Sequence, residues 1–127
     1  MTKRILVIDD EEAIRKAFIL ALEDTGYLVD TAASGEEGIR MEGEQNYDLI
    51  FLDLKMPGLN GPETLRGLRK IDADVPVYII TAFYEEFFEE LRDVERDGVQ
   101  FELLRKPFSS EQILLTVESV LVGPVEQ

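Results

Sequence analysis

The chain has 127 residues, 45% apolar and 31% charged, which is the size and composition of a single soluble globular domain. Its 27 acidic and 13 basic side chains give a formal net charge of −14, which disfavours direct binding to nucleic acid or to anionic membrane surfaces. The sequence contains neither cysteine nor histidine, so disulfides, thiolate nucleophiles, histidine bases and histidine metal ligands are excluded. Carboxylates are therefore the main candidates for any chemistry.

Five short segments have the composition of β-strands. In chain order they are residues 5–8, 27–32, 49–52, 77–80 and 101–104. The first, third and fourth are continuous apolar runs, which are typical of parallel strands covered by helices on both faces. The second and fifth contain Asp30 and Glu102, so we expect them to lie at the two edges of the sheet.

Helical patterns separate these strands. The expected boundaries are Gly26 after the first helix, Ser34 before the second, Pro62 before the third, Gly98 after the fourth and Ser109 before the fifth. Residues 34–37 and 109–112 match the capping-box pattern, in which the serine and a later Glu or Gln satisfy each other's backbone amides. The second helix is expected to be the weakest, because Gly38 and Gly43 each cost ~1 kcal/mol relative to alanine.

The alternation of five strands with five helices predicts an α/β fold. It is a (βα)5 three-layer sandwich, with a parallel five-stranded sheet between two layers of helices. Two edge-type strands, second and fifth in sequence, favour the flavodoxin-like strand order 2-1-3-4-5. We expect one domain over residues 1–122 and a short tail over 123–127. No apolar stretch is long enough for a signal peptide or a membrane span, so a cytoplasmic protein is expected.

Polar residues follow the predicted strands at the edge where open α/β sheets bind their ligands. Asp9 and Asp10 follow the first strand, Asp53 the third, Thr81 the fourth and Lys106 the fifth. Each alone could be a helix cap or a solvated loop residue, but five at one edge favour a site. Three adjacent aspartates repel one another, and their hard oxygens suit Mg²⁺ together with phosphate. A carboxylate can also act as a nucleophile and form an acyl phosphate, and Asp53 is the best candidate because it ends the central strand.

Four motifs in this order resemble the receiver domain of two-component response regulators, a member of the CheY-like superfamily. They are the acidic pair at 9–10, the D-x-x-M-P-x-x-x-G segment at 53–61, Thr81-Ala82, and Lys106-Pro107-Phe108. Any one of these motifs would be a weak signal, whereas the ordered set of four is a strong one. The resemblance covers essentially the whole chain.

The resemblance implies a phosphoacceptor switch in two-component signal transduction. Asp53 would accept a phosphoryl group from a phosphohistidine on a sensor histidine kinase or a histidine phosphotransferase. Thr81 and Lys106 would bind the phosphoryl oxygens, and the Lys106–Pro107 peptide bond would be cis. The output would be altered binding to a downstream protein or domain. Such a protein is not a true enzyme, since it has at most self-catalysed phosphotransfer and autodephosphorylation.

The resemblance also implies a magnesium site. Asp10, Asp53 and the backbone carbonyl of Lys55 would bind Mg²⁺, and Asp9 would act through a water bound to the ion. In this interpretation Mg²⁺ is the only cofactor.

One position departs from the family pattern. The family usually has Tyr or Phe three residues before the lysine, where it swings inward on activation, but this chain has Leu103. Phe101 lies two residues earlier, on the same strand face by alternation. Either the switch lacks an aromatic residue or Phe101 replaces it.

Two further residues are expected to set the lifetime of the phosphoryl group. Phe83 lies two residues after Thr81, and Lys55 lies two residues after Asp53. Side chains at these positions would overhang the path of the hydrolytic water, and by resemblance they are the variable positions that tune the lifetime. We expect a lifetime of minutes or longer, unless Phe83 packs away beneath its loop.

Two alternative functions have sequence features against them. A phosphohydrolase of the haloacid-dehalogenase type needs a D-x-D motif after the first strand and usually a cap domain, and residues 9–13 lack that motif. A receiver-like module that binds partners without phosphorylation does not need the five-residue site, although Leu103 weakly favours it.

Two surfaces are candidates for partner contacts. Ile19 and Leu20 lie beside the apolar stripe of the first helix, so either they form a docking face for the phosphodonor or both faces of this helix are buried. The acidic segment 85–90 suits a basic protein partner better than nucleic acid.

Overall fold

Strands and helices alternate through the computed structural model, which describes residues 2–123. The strands are β1 (Arg4–Ile8), β2 (Leu28–Ala32), β3 (Leu49–Asp53), β4 (Val77–Thr81) and β5 (Glu102–Arg105). The helices are α1 (Glu12–Leu22), α2 (Gly35–Glu44), α3 (Gly61–Ile71), α4 (Phe88–Arg96) and α5 (Ser110–Leu121), with a 3-10 turn at Glu85–Phe87 before α4. Except for Gly123, the predicted tail lies outside the described residues.

The five strands form one parallel sheet in the order β2-β1-β3-β4-β5. The predicted flavodoxin-like topology is therefore confirmed, including the placement of β2 and β5 at the edges. Ile8 pairs with Leu52, Asp53 pairs with Ile80, and Thr81 pairs with Arg105. This register brings the carboxyl ends of β1, β3, β4 and β5 to one edge of the sheet.

Alternate residues of the central strands pack into two separate cores. On one face Leu6, Ile8, Ile50, Leu52 and Ile79 pack with the apolar residues of α3 and α4. On the other face Ile5, Val7, Leu49, Phe51 and Ile80 pack with α1 and α5. Because the central strands are apolar on both faces, both layers of helices bury apolar surface. Within residues 2–123, no helix combines the length and the apolarity that crossing a membrane requires.

Gly38 brings α2 close to the sheet. A Cβ atom at this position would lie 2.4 Å from Cδ1 of Ile8 on β1, a distance that side-chain atoms do not tolerate. Helix propensity alone predicts only that Gly38 weakens α2. The structure shows that glycine here permits close contact between helix and strand.

The helix caps follow the sequence with two differences. Ser109 and Gln112 form the predicted capping box, with both reciprocal hydrogen bonds present. Ser34 accepts the amide of Glu37, but the Glu37 carboxylate accepts the amide of Ala33 instead of completing the box. A further capping box, not predicted from the sequence, joins Asn60 and Glu63 at the start of α3.

Candidate functional site

Three aspartates converge at the carboxyl edge of the sheet. Asp9 follows β1, Asp10 lies in the loop before α1, and Asp53 is the last residue of β3. Each offers a carboxylate oxygen, and these atoms all lie within 4.8 Å of one another. Asp9 is fully buried and Asp53 is 3% exposed, whereas Asp10 is exposed to solvent. The predicted acidic cluster therefore exists, with one solvent-facing carboxylate and two buried ones.

Lys106 supplies the positive charge in this cluster. Its Nζ lies 3.0 Å from Oδ2 of Asp9 and 3.5 Å from Oδ1 of Asp53. Nζ also lies 3.2 Å from Oε1 of Glu11, a contact that was not predicted because nothing in the sequence distinguishes Glu11 from the neighbouring Glu12. Oδ1 of Asp9 accepts the backbone amide of Glu11 at 2.9 Å, so both oxygens of Asp9 have donors.

The electrostatics of the site leave it with excess negative charge. Burial raises the pKa of Asp9, and burial together with the charge of Asp9 raises the pKa of Asp53 to about 7. Burial alone would lower the pKa of Lys106, but the Asp9 and Asp53 carboxylates raise it above its ordinary value. Lys106 pairs with Asp9 and Asp53, Asp10 adds a third carboxylate, and these hard oxygen donors fit a divalent cation such as Mg²⁺.

Thr81 connects the site to the loop that follows β4. It is the last residue of β4, is 1% exposed, and its carbonyl accepts the backbone amide of Lys106 at 2.7 Å. Its Oγ1 accepts the backbone amide of Phe83 at 2.7 Å. A hydroxyl that accepts one hydrogen bond keeps its own proton to donate, so Thr81 can still serve as a donor toward a bound anion. The Lys106–Pro107 peptide bond is cis, as the resemblance implied.

The path of the loop after β3 explains why the D-x-x-M-P-x-x-x-G segment ends in glycine. The amide of Gly61 donates to the carbonyl of Leu54 at 2.7 Å. A Cβ atom on Gly61 would lie 2.6 Å from Cα of Leu54 and 2.8 Å from the carbonyl oxygen of Asp53. Met56, which lies between Leu54 and Gly61 in the sequence, is buried in the core. The loop therefore folds back onto the backbone of Asp53, and only glycine allows that approach.

Lys55 and Phe83 contact each other on the outside of the site. Nζ of Lys55 lies 4.6 Å from the ring centroid of Phe83 and 3.3 Å from Oε2 of Glu86. Phe83 is 44% exposed, so it does not pack away beneath its loop. Glu86 was not predicted as a partner, because only the 3-10 turn before α4 brings it back toward Lys55.

The two candidates for the switch position lie in different places. Leu103 is within β5, half-buried on the face that packs against α3 and α4. Phe101 precedes β5 and lines a cavity with Arg69, Val75 and Val77. Since Val77 begins β4, this cavity lies at the amino edge of the sheet, opposite the aspartates. Phe101 therefore does not reach the site.

On α1, Ile19 is 42% exposed and Leu20 is 65% exposed. The alternative in which both faces of this helix are buried is therefore wrong. Both side chains remain available to a partner.

Comparison with known proteins identifies the family. Residues 5–118 match the family described as the response regulator receiver domain. The chain belongs to this family. The match includes every residue of the site described above, and it favours the receiver interpretation over a phosphohydrolase. Receiver domains bind Mg²⁺ at an acidic pocket, and in this receiver domain Asp9, Asp10 and Asp53 form such a cluster.

Individual relatives show the same architecture in different contexts. The receiver domain is 39% identical to the transcriptional regulatory protein ResD of Bacillus subtilis over 93% of this chain and 48% of that protein. It is 35% identical to the sensor kinase CckA of Brucella abortus over 92% of this chain and 12% of that protein. The structure of the chemotaxis protein CheY4 of Vibrio cholerae has 29% identity and a TM-score of 0.82, covering 95% of this chain and all of that chain. The chain spans about half the length of ResD.

Proposed function

We propose that this receiver domain accepts a phosphoryl group on Asp53 from a phosphohistidine of a sensor histidine kinase or a histidine phosphotransferase. Phosphorylation then changes the binding of an output protein or domain. The observation that carries the proposal is the convergence of Asp9, Asp10 and Asp53 with Lys106, whose Nζ lies 3.5 Å from Oδ1 of Asp53. The proposed limits of the domain are residues 1–122.

The chemistry follows from the positions of these groups. A carboxylate oxygen of Asp53 attacks phosphorus, the P–N bond to the donor imidazole breaks, and its electron pair stays on the imidazole nitrogen. Lys106 favours the ionised form of Asp53 that this attack requires and then neutralises a phosphoryl oxygen. Thr81 donates a hydrogen bond from its hydroxyl to another phosphoryl oxygen. Hydrolysis later returns inorganic phosphate and free Asp53, so the domain is a phospho-switch that catalyses at most its own turnover.

Asp10, Asp53 and the backbone carbonyl of Lys55 would hold Mg²⁺, and Asp9 would act through a water bound to the ion. When bound, Mg²⁺ would supply positive charge that offsets the carboxylates and the phosphoryl oxygens. The excess negative charge around Asp53 supports this assignment, because Lys106 is its only lysine neighbour among the described residues.

The exposed residues Ile19 and Leu20 support α1 as the docking face for the phosphodonor. The helix begins two residues after Asp10, so a partner that covers this apolar pair and extends along α1 to its first turn reaches the edge of the sheet that carries the acceptor. Alanine at both positions should slow transfer from a phosphorylated histidine phosphotransferase and leave labelling by acetyl phosphate unchanged. Equal slowing of both reactions would contradict the docking assignment.

Labelling tests the proposal directly. The protein is incubated with Mg²⁺ and acetyl phosphate and examined by intact mass spectrometry. We expect one acid-stable, base-labile phosphoryl group in the native protein and none in Asp53→Asn or Asp53→Ala. Asp24→Asn is the matched control, because Asp24 is an exposed carboxylate outside the site. Equal labelling of Asp53→Ala would overturn the assignment, and unlabelled native protein would favour a module that binds partners without phosphorylation.

A further inference from the structure

Three carboxylates share the ammonium group of Lys106. Among residues 2–123, its Nζ donates to Oδ2 of Asp9 at 3.0 Å, to Oε1 of Glu11 at 3.2 Å and to Oδ1 of Asp53 at 3.5 Å. An ammonium group has three hydrogens to donate and cannot accept. A phosphoryl oxygen on Asp53 can therefore receive a hydrogen bond from Lys106 only if one of these contacts is given up.

The three contacts differ in what their loss would cost. Asp9 is fully buried, so without Lys106 its charge would stay away from water and without a cation. Asp53 would carry the phosphoryl group, so Lys106 has to stay beside it. The side chain of Glu11 is 59% exposed, and water solvates its carboxylate as soon as Lys106 leaves. Glu11 is thus the partner that Lys106 exchanges at the lowest cost.

The backbone holds Glu11 in position for its contact with Lys106. The amide of Glu11 donates to Oδ1 of Asp9 at 2.9 Å, and its carbonyl accepts the amides of Ile14 and Arg15 at 3.1 and 3.2 Å. Glu11 is the N-cap residue of α1, a position where the side chain commonly accepts an amide of its own helix. Its side chain makes no such hydrogen bond, and the carboxylate contacts Lys106 instead.

We propose that Glu11 competes with the phosphoryl group for Lys106 and thereby slows the phosphorylation of Asp53. The inference rests on the proposed phosphorylation of Asp53. The contact between Glu11 and Lys106 stabilises the unphosphorylated site, whereas in the transition state and in the phosphorylated protein Lys106 faces the phosphoryl oxygens. The contact therefore raises the barrier to phosphorylation and leaves the barrier to hydrolysis unchanged. Glu11 is a positioning residue, because it acts through Lys106.

Rates of labelling and decay test this competition. Native protein and its variants are incubated with Mg²⁺ and acetyl phosphate, and intact mass spectrometry follows labelling and then, after acetyl phosphate is removed, decay. We expect Glu11→Gln to be labelled about threefold faster, as the loss of an exposed ion pair predicts, and to decay at the native rate. Glu11→Asp should also be labelled faster, because it keeps the charge but is one methylene too short to keep the contact.

Glu12→Gln is the matched control. Glu12 is the next residue along the chain and is also exposed, but it pairs with Lys16 at 3.0 Å on the surface of α1. This variant should be labelled and should decay at the native rates. A general effect of negative charge on the approach of acetyl phosphate would accelerate it as well.

Nitrogen NMR of the lysine ammonium groups gives a readout that does not depend on phosphorylation. The chain has five lysines, and Lys106→Arg identifies the Lys106 resonance by removing it. In unphosphorylated protein, Glu11→Gln should shift the Lys106 resonance by more than its linewidth. Glu12→Gln should leave this resonance in place and shift that of Lys16.

Several results would overturn the inference and leave the proposed function intact. One is a native rate of labelling in Glu11→Gln, and another is a decay rate that changes as much as the labelling rate. Native labelling of Glu11→Asp, or equal acceleration in Glu12→Gln, would mean that negative charge repels the donor without any role for Lys106. A stationary Lys106 resonance in Glu11→Gln would remove the contact itself. If the native protein gains no phosphoryl mass, the proposed function fails and this inference fails with it.

Discussion

Two buried carboxyl groups at opposite edges of the sheet have the same raised pKa of about 7 for different reasons. Asp53, at the carboxyl edge, is buried beside the charge of Asp9, but Lys106 lies within reach. Glu42, on the last turn of α2, is 1% exposed, and among residues 2–123 neither of its oxygens has a hydrogen-bond partner. Burial is the main cause of its raised pKa, and the charges of Asp72 and Asp48 add to it.

The difference shows that a perturbed pKa does not by itself mark a functional site. Asp53 differs from Glu42 because acids, a lysine and a threonine from four strand ends converge on it. Within residues 2–123 the charged groups that act on Glu42 are the acids Asp72 and Asp48, so its environment favours the neutral acid. Substitutions at the two edges should therefore have effects of different kinds.

Loss of the site lysine should give the largest change in stability. Lys106→Met leaves Asp9 and Asp53 buried without a cation, which should cost about 3 kcal/mol of unfolding free energy in the absence of metal. Urea denaturation with EDTA at alkaline pH measures this cost. The matched control is Lys16→Met, because Lys16 pairs with Glu12 on the surface and should change stability by less than about 0.5 kcal/mol. Equal effects of the two variants would show that Lys106 does not compensate the buried acids.

The second-largest effect should be the change with pH in the unfolding free energy of Glu42→Gln relative to the native protein. Folding raises the pKa of Glu42 from 4.5 to about 7, so its contribution to stability is fully present below the lower value and is lost as the pH rises through the upper one. The amide does not titrate, so this variant should gain about 2 kcal/mol relative to the native protein between about pH 5 and pH 8. Urea denaturation at both pH values measures the gain.

Glu44→Gln is the control for this comparison, because Glu44 is exposed and pairs with Arg40 on the surface. Because this ion pair is exposed to solvent, Glu44→Gln should change stability by less than about 0.5 kcal/mol. A pH-independent effect of Glu42→Gln would mean that Glu42 is ionised in the folded protein.

Substitutions at the two edges of the sheet should also differ in their effect on the affinity for Mg²⁺. Asp10→Ala removes an exposed carboxylate of the cluster, so the affinity for Mg²⁺ should fall by at least ~10-fold while the fold is retained. Isothermal titration calorimetry with MgCl₂ measures the affinity, and Glu42→Gln is the control that leaves the magnesium site intact. Without metal, Asp10→Ala should be as stable as the native protein or slightly more stable, because one of three mutually repelling charges is gone. Unchanged Mg²⁺ affinity would remove Asp10 from the metal site.

The smallest effect is expected on the lifetime of the phosphoryl group. Phe83 and Lys55 contact each other outside the site, so replacing them with Phe83→Ala and Lys55→Asn should open the path of water and speed decay by about threefold, less than 1 kcal/mol in barrier. Loss of the phosphorylated mass over time measures the rate. Leu115→Ala, which removes an exposed side chain on α5, is the control. Decay of the native protein within seconds, or no acceleration in the double variant, would contradict a shielding role.

The carboxyl edge could be predicted from the sequence because topology alone brings its residues together. Asp9, Asp53, Thr81 and Lys106 each follow an apolar run, and parallel strands place the ends of such runs at one edge. The prediction needed no distances between helices and strands. The same rule could not find the contact of Glu11 with Lys106, because it depends on the path of the loop before α1.

The amino edge could not be predicted in this way. Glu42 lies in a helix where two of the three other acidic residues are exposed, and no periodicity in the sequence separates it from them. Its burial depends on how closely α2 packs against the sheet, which is a tertiary distance. Alternation correctly predicted that Phe101 shares a strand face with Leu103. Phe101 nevertheless lies at the amino edge of the sheet, too far along the strand direction to reach the aspartates.

The contact between Gly38 and Ile8 has a consequence one helical turn further along α2. Residues four apart share one side of a helix, so the turn that Gly38 seats against β1 also carries Glu42 inward. A methyl group at position 38 would act as a spacer under the helix and let water reach the acid. The burial that raises the pKa of Glu42 therefore depends on the absence of a side chain at position 38.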